Sequence, residues 1–272
     1  MIHKGLEEYF NTLAVNALQA AHDSVPEDGD PYHAAMVRAM LTGYHCRWEG
    51  SELVVTDTEV EFNVPMVNPQ TGKPSKTWRL GGKVDGLGVD GDKRLVIEHK
   101  TTSEDLTPGG TYWRRLTLDG QISSYLNAMG CHACLYDILR KPTCRPKKAT
   151  PEDKRKFKAD GSIYNNQRLE DECPDAFEER CLELIGDDPD KHFARGLVVR
   201  LEAERDEAAY DLWQTGRAIR ESQLHKRWPR NPDGCISWSR ECEYFGVCTG
   251  TEDIDNELVF KSTGEHAELT GL

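Results

Sequence analysis

Apolar residues Leu6, Phe10, Leu13 and Leu18 fall near helical spacing and predict a helix over residues 3 to 24. The turn-rich SVPEDGDP ends it, and residues 31 to 48 predict a second helix closing near Trp48. The pattern then changes period. ELVVTDTEVEFNVPM alternates partly like a half-buried strand, NPQTGKPSK is a connection, and TWRLGGKVDGLGV reads as a second strand. VDGDKR is a tight turn into a third strand, RLVIEHKT. Helical spacing returns from Gly110 to about Gly130, and a strand is expected near 133 to 140. Residues 141 to 172 read as loop, HFARGLVV as a strand, and 203 to 226 as a long helix. WPRNPDGCISWSRECEYFGVCTG, residues 228 to 250, is compact and aromatic, and residues 251 to 272 form a polar tail. No internal repeat is visible. The element order predicts an α/β fold, a central mixed β-sheet flanked by helices, with residues 1 to 250 as a single domain.

The hairpin at VDGDKR concentrates charge. With Gly91 and Asp92 as the central turn residues, Asp90 pairs with Lys93 and the register carries Asp85 opposite Glu98. Side chains alternate along a strand, so Glu98 and Lys100 share one face and His99 points to the other. Two carboxylates facing each other destabilise a sheet, and a divalent cation reverses that cost. The triplet alone is weak evidence: Glu152-Asp153-Lys154 repeats it in a charged loop with no strand before it. The strand context and the facing Asp85 are what distinguish Glu98-His99-Lys100.

GGKVDGL followed by VIEHKTT resembles the PD-(D/E)XK nuclease superfamily, whose pattern is Asp, a spacer and Glu-x-Lys on adjacent strands, with Val84 at the variable proline position. GQISSYLNAMG places Gln121 and Tyr125 four residues apart on one helix face and is similar to the Gln-x-x-x-Tyr element of the RecB-type branch. The resemblance spans roughly residues 3 to 140 and 228 to 248. It implies a restriction-endonuclease-like core and a cytoplasmic Mg²⁺- or Mn²⁺-dependent deoxyribonuclease, exonuclease in preference to endonuclease, acting in phage recombination, replication or repair. Asp85 and Glu98 are then the metal-holding acids, aided by the His99 carbonyl. Lys100 orients or deprotonates a water, and Gln121 and Tyr125 position substrate or the Lys100 strand. Glu61 is a further support if Phe62 faces the other way. The branch also carries a metal-ligating His in a Gly-x-x-x-His context, for which IHKGLEEYF offers His3. The Gly position then falls before Met1, so the chain is expected to start inside the motif, with His3 on a helix end prone to fraying. The other reading of His3 is an exposed terminal histidine.

Nine cysteines, an odd number, argue against a complete disulfide set. Cys235, Cys242 and Cys248 resemble the C-terminal trio of branch members holding a [4Fe–4S] cluster, although the six-residue first spacing departs from the familiar Cys-x2-Cys. The fourth ligand is open: Cys46 is expected to be buried on a helix, zinc with His225 is an alternative, and three free thiols is another. Cys131 and Cys134 read as core packing.

Net charge is −13, which disfavours nucleic acid, yet residues 140 to 158 hold nine Lys or Arg against two acids. That segment is either a solvated loop or an arm touching phosphates. No apolar run approaches the ~20 residues of a membrane span, and the N-terminus does not read as a signal peptide. The expected partners are DNA and a helicase, recombinase or single-strand-binding protein. Two other classes stay open: a nuclease-fold protein that binds DNA or a partner without cutting, and a metal-stapled interaction module.

Overall fold

In the computed structural model the described residues are 1–12, 16–27, 29–237 and 240–262. A five-stranded sheet has the order β1-β2-β3-β4-β5, formed by Val54–Val67, Pro74–Asp90, Lys93–Thr102, Ala133–Arg140 and Phe193–Val199. β2 and β3 are antiparallel, β3 and β4 parallel, β4 and β5 antiparallel, so the sheet is mixed. Gly91, at φ +63°, begins the two-residue turn and sets the register from Asp90↔Lys93 to Gly86↔Ile97. Buried on both faces, Leu95, Val96 and Ile97 form the continuous apolar run expected of a central strand.

The helices follow the apolar stripes with three departures. The helix anticipated over residues 3 to 24 is two, α1 (Ile2–Asn11) and α2 (Ala17–Asp23). Thr12 is extended at α1's end (φ −104°, ψ 146°), and Leu13 lies outside the described residues. Residues 110 to 130 also divide, into α4 (Thr111–Leu116) and α5 (Gly120–Met129), because Asp119 caps the second by accepting from the Gln121 amide at 3.0 Å. The third departure is a helix that went unread, α6 (Pro174–Asp187), followed by the single turn α7 (Pro189–His192). Its signature is present: Pro174 in the first turn, then Phe177, Cys181 and Ile185 at four-residue spacing, all buried.

Two compact units emerge, residues 1–61 with 83–205 and residues 62–82 with 206–272. In the first, α3 (Pro31–Trp48) is the central helix, capped by Asp30, with Ala35, Met40, Leu41 and Tyr44 almost fully buried. It packs on α6 closely enough that a Cβ on Gly43 would sit 2.6 Å from Ile185. Most of helix α8 (Glu202–His225) belongs to the second unit, where Gly216 is buried against Met66 and Trp78 and Leu212, Trp213 and Ile219 are half-buried. A two-stranded ribbon, β6 (Ile236–Ser237) and β7 (Arg240–Glu241), and the short α9 (Phe245–Thr249) follow. No helix among the described residues is long and apolar enough to cross a membrane.

Residues 141–172 carry little regular structure but are tied down at their base by Glu172, which is buried and accepts from Arg180 (2.7 and 2.9 Å) and from the Lys147 amide (2.8 Å). The Arg180 guanidinium lowers the Glu172 carboxyl from 4.5 to about 2, with the Lys147 amide adding to the effect and burial opposing it. A depressed carboxyl pKa stabilises above the unfolded value and loses that contribution as pH falls through the folded one. The protection factor of the Lys147 amide, its exchange relative to an unstructured amide at the same pH, is therefore expected to be high above about pH 4.5 and to fall as pH drops toward about 2. Glu172→Gln should lower it at pH 7. Phe177→Ala should cost about 3–5 kcal/mol in urea unfolding.

Candidate functional site

Where the β2–β3 ladder ends, a side chain takes over from the backbone. Asp85 and Glu98 are the next residues in the register, and Asp85 Oδ2 accepts the His99 amide at 2.8 Å. Glu98 is buried, and its Oε1 accepts from Lys100 Nζ at 2.6 Å. The same ammonium donates to Gln121 Oε1 at 3.2 Å, and Gln121 Nε2 donates to the Tyr125 hydroxyl at 2.7 Å. The parallel β3–β4 pairing forces this meeting. A parallel connection must cross back over the sheet, and here the crossover carries α5 and its polar Gln121–Tyr125 face.

His3 reaches Asp85 from α1, with Nδ1 3.7 Å from Oδ2. The expected fraying is opposed by packing: Ile2, Gly5 and Leu6 are buried, and the Gly5 amide bonds the Met1 carbonyl. Burial lowers the His3 pKa, Asp85 works against that, and His99 adds to the lowering. Burial and the Asp85 charge raise Glu98 above the ordinary carboxylate range while Lys100 holds it back. For Lys100, burial acts downward and is outweighed by Glu98, Asp119 and Asp85, so its pKa is raised.

The second oxygen of Glu98, Oε2, is buried without a hydrogen-bond partner. A buried carboxylate oxygen left unsatisfied is costly, and a cation is one group that satisfies it. Among the described residues, no three His, Cys, Asp or Glu side chains form a group able to hold a metal ion by themselves. Two acids are nonetheless a suitable donor set for a hard cation that keeps waters and takes substrate phosphate.

The largest surprise lies behind His99, expected to lend only its carbonyl. Its ring is buried, stacks on Phe10 (centroids 5.8 Å apart, planes at 13°), and places Nδ1 3.5 Å from Asp137 Oδ2. That contact is a charge pairing rather than a hydrogen bond; Asp137, on β4, is fully buried and accepts from the Tyr44 hydroxyl and from Arg195 Nε at 3.3 Å. Burial alone would raise its pKa, but His99, Arg195 and Tyr44 together hold it below the usual range. The clue was legible in CLYDILR, where one acid interrupts an apolar strand.

Other positions need correction. Glu61 is exposed and Phe62 buried. Glu59 instead carries acidic charge toward the site: it lies 2.5 Å from Lys83 and bears on His3. Glu59 has φ +52°, a left-handed residue inside a strand, and the inside–outside alternation slips there. Asp119 also went unread as a neighbour of the site; it accepts from the Tyr136 hydroxyl at 3.1 Å. Cys46 is exposed rather than buried, since α3 turns Gly43 and Tyr44 inward instead.

Cys235 and Cys242 are half-buried at the ends of the β6–β7 ribbon, joined by a 2.9 Å backbone bond, and Cys248 is exposed. As placed, the described thiols do not fit the four gathered ligands of a [4Fe–4S] centre. His225 is exposed at the end of α8. Cys131 and Cys134 are buried, and burial pushes both thiols up.

No protein-family model and no curated protein matches this chain. Among solved structures, one similar chain is a protein designated SSO0001, 17% identical, covering 68% of this chain and 72% of that one, with a TM-score of 0.25. Another is a phage-related exonuclease from Haemophilus somnus 129PT, 12% identical, covering 79% of this chain and 95% of that one, with a TM-score of 0.31. Neither likeness is close enough to carry an argument about this chain.

Removing the Asp137 carboxylate leaves Arg195 buried without its acid. Asp137→Ala is expected to destabilise the protein by about 3–5 kcal/mol in urea unfolding. Glu104→Ala, which removes an exposed ion pair with Arg115, should cost under about 1 kcal/mol.

Proposed function

We propose that this protein is a metal-dependent DNA nuclease that hydrolyses phosphodiester bonds. The observation that carries the reading is the buried, unpartnered Glu98 Oε2, set beside Asp85 and two residues from Lys100. The ligands would be Asp85, Glu98, the His99 carbonyl and His3, holding Mg²⁺ or Mn²⁺. Such an ion supplies an activated water and offsets charge on the phosphate.

The remaining chemistry belongs to the chain's own groups. The Lys100 ammonium, steered by Glu98 and Gln121, donates to the oxygen on which negative charge develops. Gln121 and Tyr125 limit where that ammonium can point. The His99 ring, pinned by Phe10 and Asp137, fixes the backbone between Glu98 and Lys100, so both reacting side chains leave a rigid strand. The resemblance of the Asp85, Glu98-x-Lys100 and Gln121–Tyr125 pattern to RecB-type nucleases supports the same reading and favours an exonuclease. It also favours a role beside a helicase, recombinase or single-strand-binding protein in phage DNA metabolism.

Single- and double-stranded DNA, linear and circular, should be incubated with the protein and Mg²⁺ or Mn²⁺. The wild type is expected to degrade linear DNA in a reaction stopped by EDTA, and Lys100→Ala to slow it about 10²–10³-fold. Equal background from wild type and Lys100→Ala would sink the enzyme reading and leave a non-cutting DNA- or partner-binding protein. Without DNA, Mn²⁺ should raise the melting temperature of the wild type and not of a double Asp85→Asn, Glu98→Gln variant.

A further inference from the structure

The segment leaving β4 carries a surface that the catalytic site does not use. Arg140 pairs with Thr102, and the Lys141 amide bonds the Thr102 carbonyl at 2.8 Å, so the segment leaves the sheet two residues beyond Lys100. It then folds on itself as a short hairpin. Phe157 bridges Ile163, the Lys158 amide donates to the Ser162 carbonyl (2.7 Å), and the Thr150 amide to the Arg168 carbonyl (2.9 Å). Gln167 fastens the two limbs by accepting from the Lys156 amide and donating to the Lys154 carbonyl. At the base stands the buried Glu172 clamp. This is an ordered arm.

The arm's acids, Glu152, Asp153 and Asp160, are exposed, and its lysines and Arg155 divide into two groups. Arg155 is spent on the carbonyls of Thr150 and Leu169, and Lys148 on Asp171. Lys147, Lys154, Lys156 and Lys158 are exposed, and none is in an ion pair among the described residues; Lys158 Nζ donates to the neutral Asn165 Oδ1 at 3.3 Å. Two rings are exposed on the same arm: Phe157 (56%), between Lys156 and Lys158, and Tyr164 (45%), next to Ile163 on the facing limb. Lysines without an acid partner beside exposed rings, on a chain of net charge −13, call for a polyanion that also offers flat apolar faces. Single-stranded nucleic acid is such a partner: lysines follow its phosphates and rings stack on its bases. A duplex keeps its base faces covered.

We infer that the 145–168 arm is a platform for single-stranded DNA, holding the strand that runs to Lys100. The inference rests on the nuclease reading for the choice of DNA. The order already present in the arm lowers the entropic cost of binding.

The test is fluorescence anisotropy with a labelled single-stranded oligonucleotide in EDTA, across a salt series. Replacing Lys147, Lys154, Lys156 and Lys158 by Ala is expected to weaken binding at least about tenfold and to flatten the log–log salt slope by about 3. A Phe157→Ala, Tyr164→Ala variant should bind the single strand about tenfold more weakly or worse, keep its salt slope, and bind duplex as before. Wild-type affinity and slope in both variants would overturn the platform. So would equal weakening toward duplex in the ring variant, or tighter binding to phosphatidylserine vesicles than to the oligonucleotide. Lys100→Ala is the separate control: retained binding with lost cleavage supports both readings, and wild-type cleavage by it removes the nuclease reading whatever the arm does.

Discussion

A single carboxylate ties four elements of the first unit to one another. Asp137 is fully buried, and its partners come from three other elements: Tyr44 from α3, Arg195 from β5 and His99 from β3. A charge in that position is tolerable only when paired and hydrogen-bonded, so each partner is constrained in turn. Arg195 sits over Trp48, its guanidinium carbon 4.0 Å from the ring centroid. His99 lies flat on Phe10. The main chain on either side of His99 carries Glu98 and Lys100, so the rigidity of the candidate site is inherited from an ion network on the opposite face of the strand.

That site is locally unfavourable. Asp85, Glu98 and Asp119 all bear on the same region, and the Lys100 ammonium offsets them. Like charges crowded on a sheet cost stability, and a buried oxygen without a partner costs more. The surrounding core is large enough to absorb this. Val96, Ile97, Ile122, Leu126 and Ile138 are all fully buried around the strand and helix that carry the charges. Local discomfort sustained by a well-packed scaffold is the usual pattern of a binding site.

Much of this was legible in residues alone, and the boundary between legible and illegible is physical. The Gly91-Asp92 turn fixes a register by local backbone geometry, so the neighbourhood of Asp85 and Glu98 could be read from a dozen residues. The Gln121–Tyr125 face followed from helical period. Glu59 could not be found that way, because one left-handed residue shifts the strand's alternation and nothing in TDTEVEF announces it. α6 was missed for another reason: its apolar stripe is narrow and sits between charged stretches, and only α3 across from it makes the stripe meaningful. The His99–Asp137 pairing depends on two strands becoming parallel neighbours, which no local pattern encodes. The chance that a lone acid in CLYDILR was paired rather than misplaced was the one available hint.

The position of His3 has a consequence for how the molecule assembles. The β3–α4–α5–β4 crossover is contiguous in sequence, so Lys100, Glu98, Gln121 and Tyr125 can meet by closing a short stretch of chain. His3 meets Asp85 only after α1 docks on α3 and the whole β1–β2 hairpin is in place. Contacts of long sequence separation pay more loop-closure entropy and tend to form later. On that ordering, the half of the site bearing Lys100 closes before the half bearing His3, while the Tyr44–Arg195 contact, 151 residues apart, closes later than either.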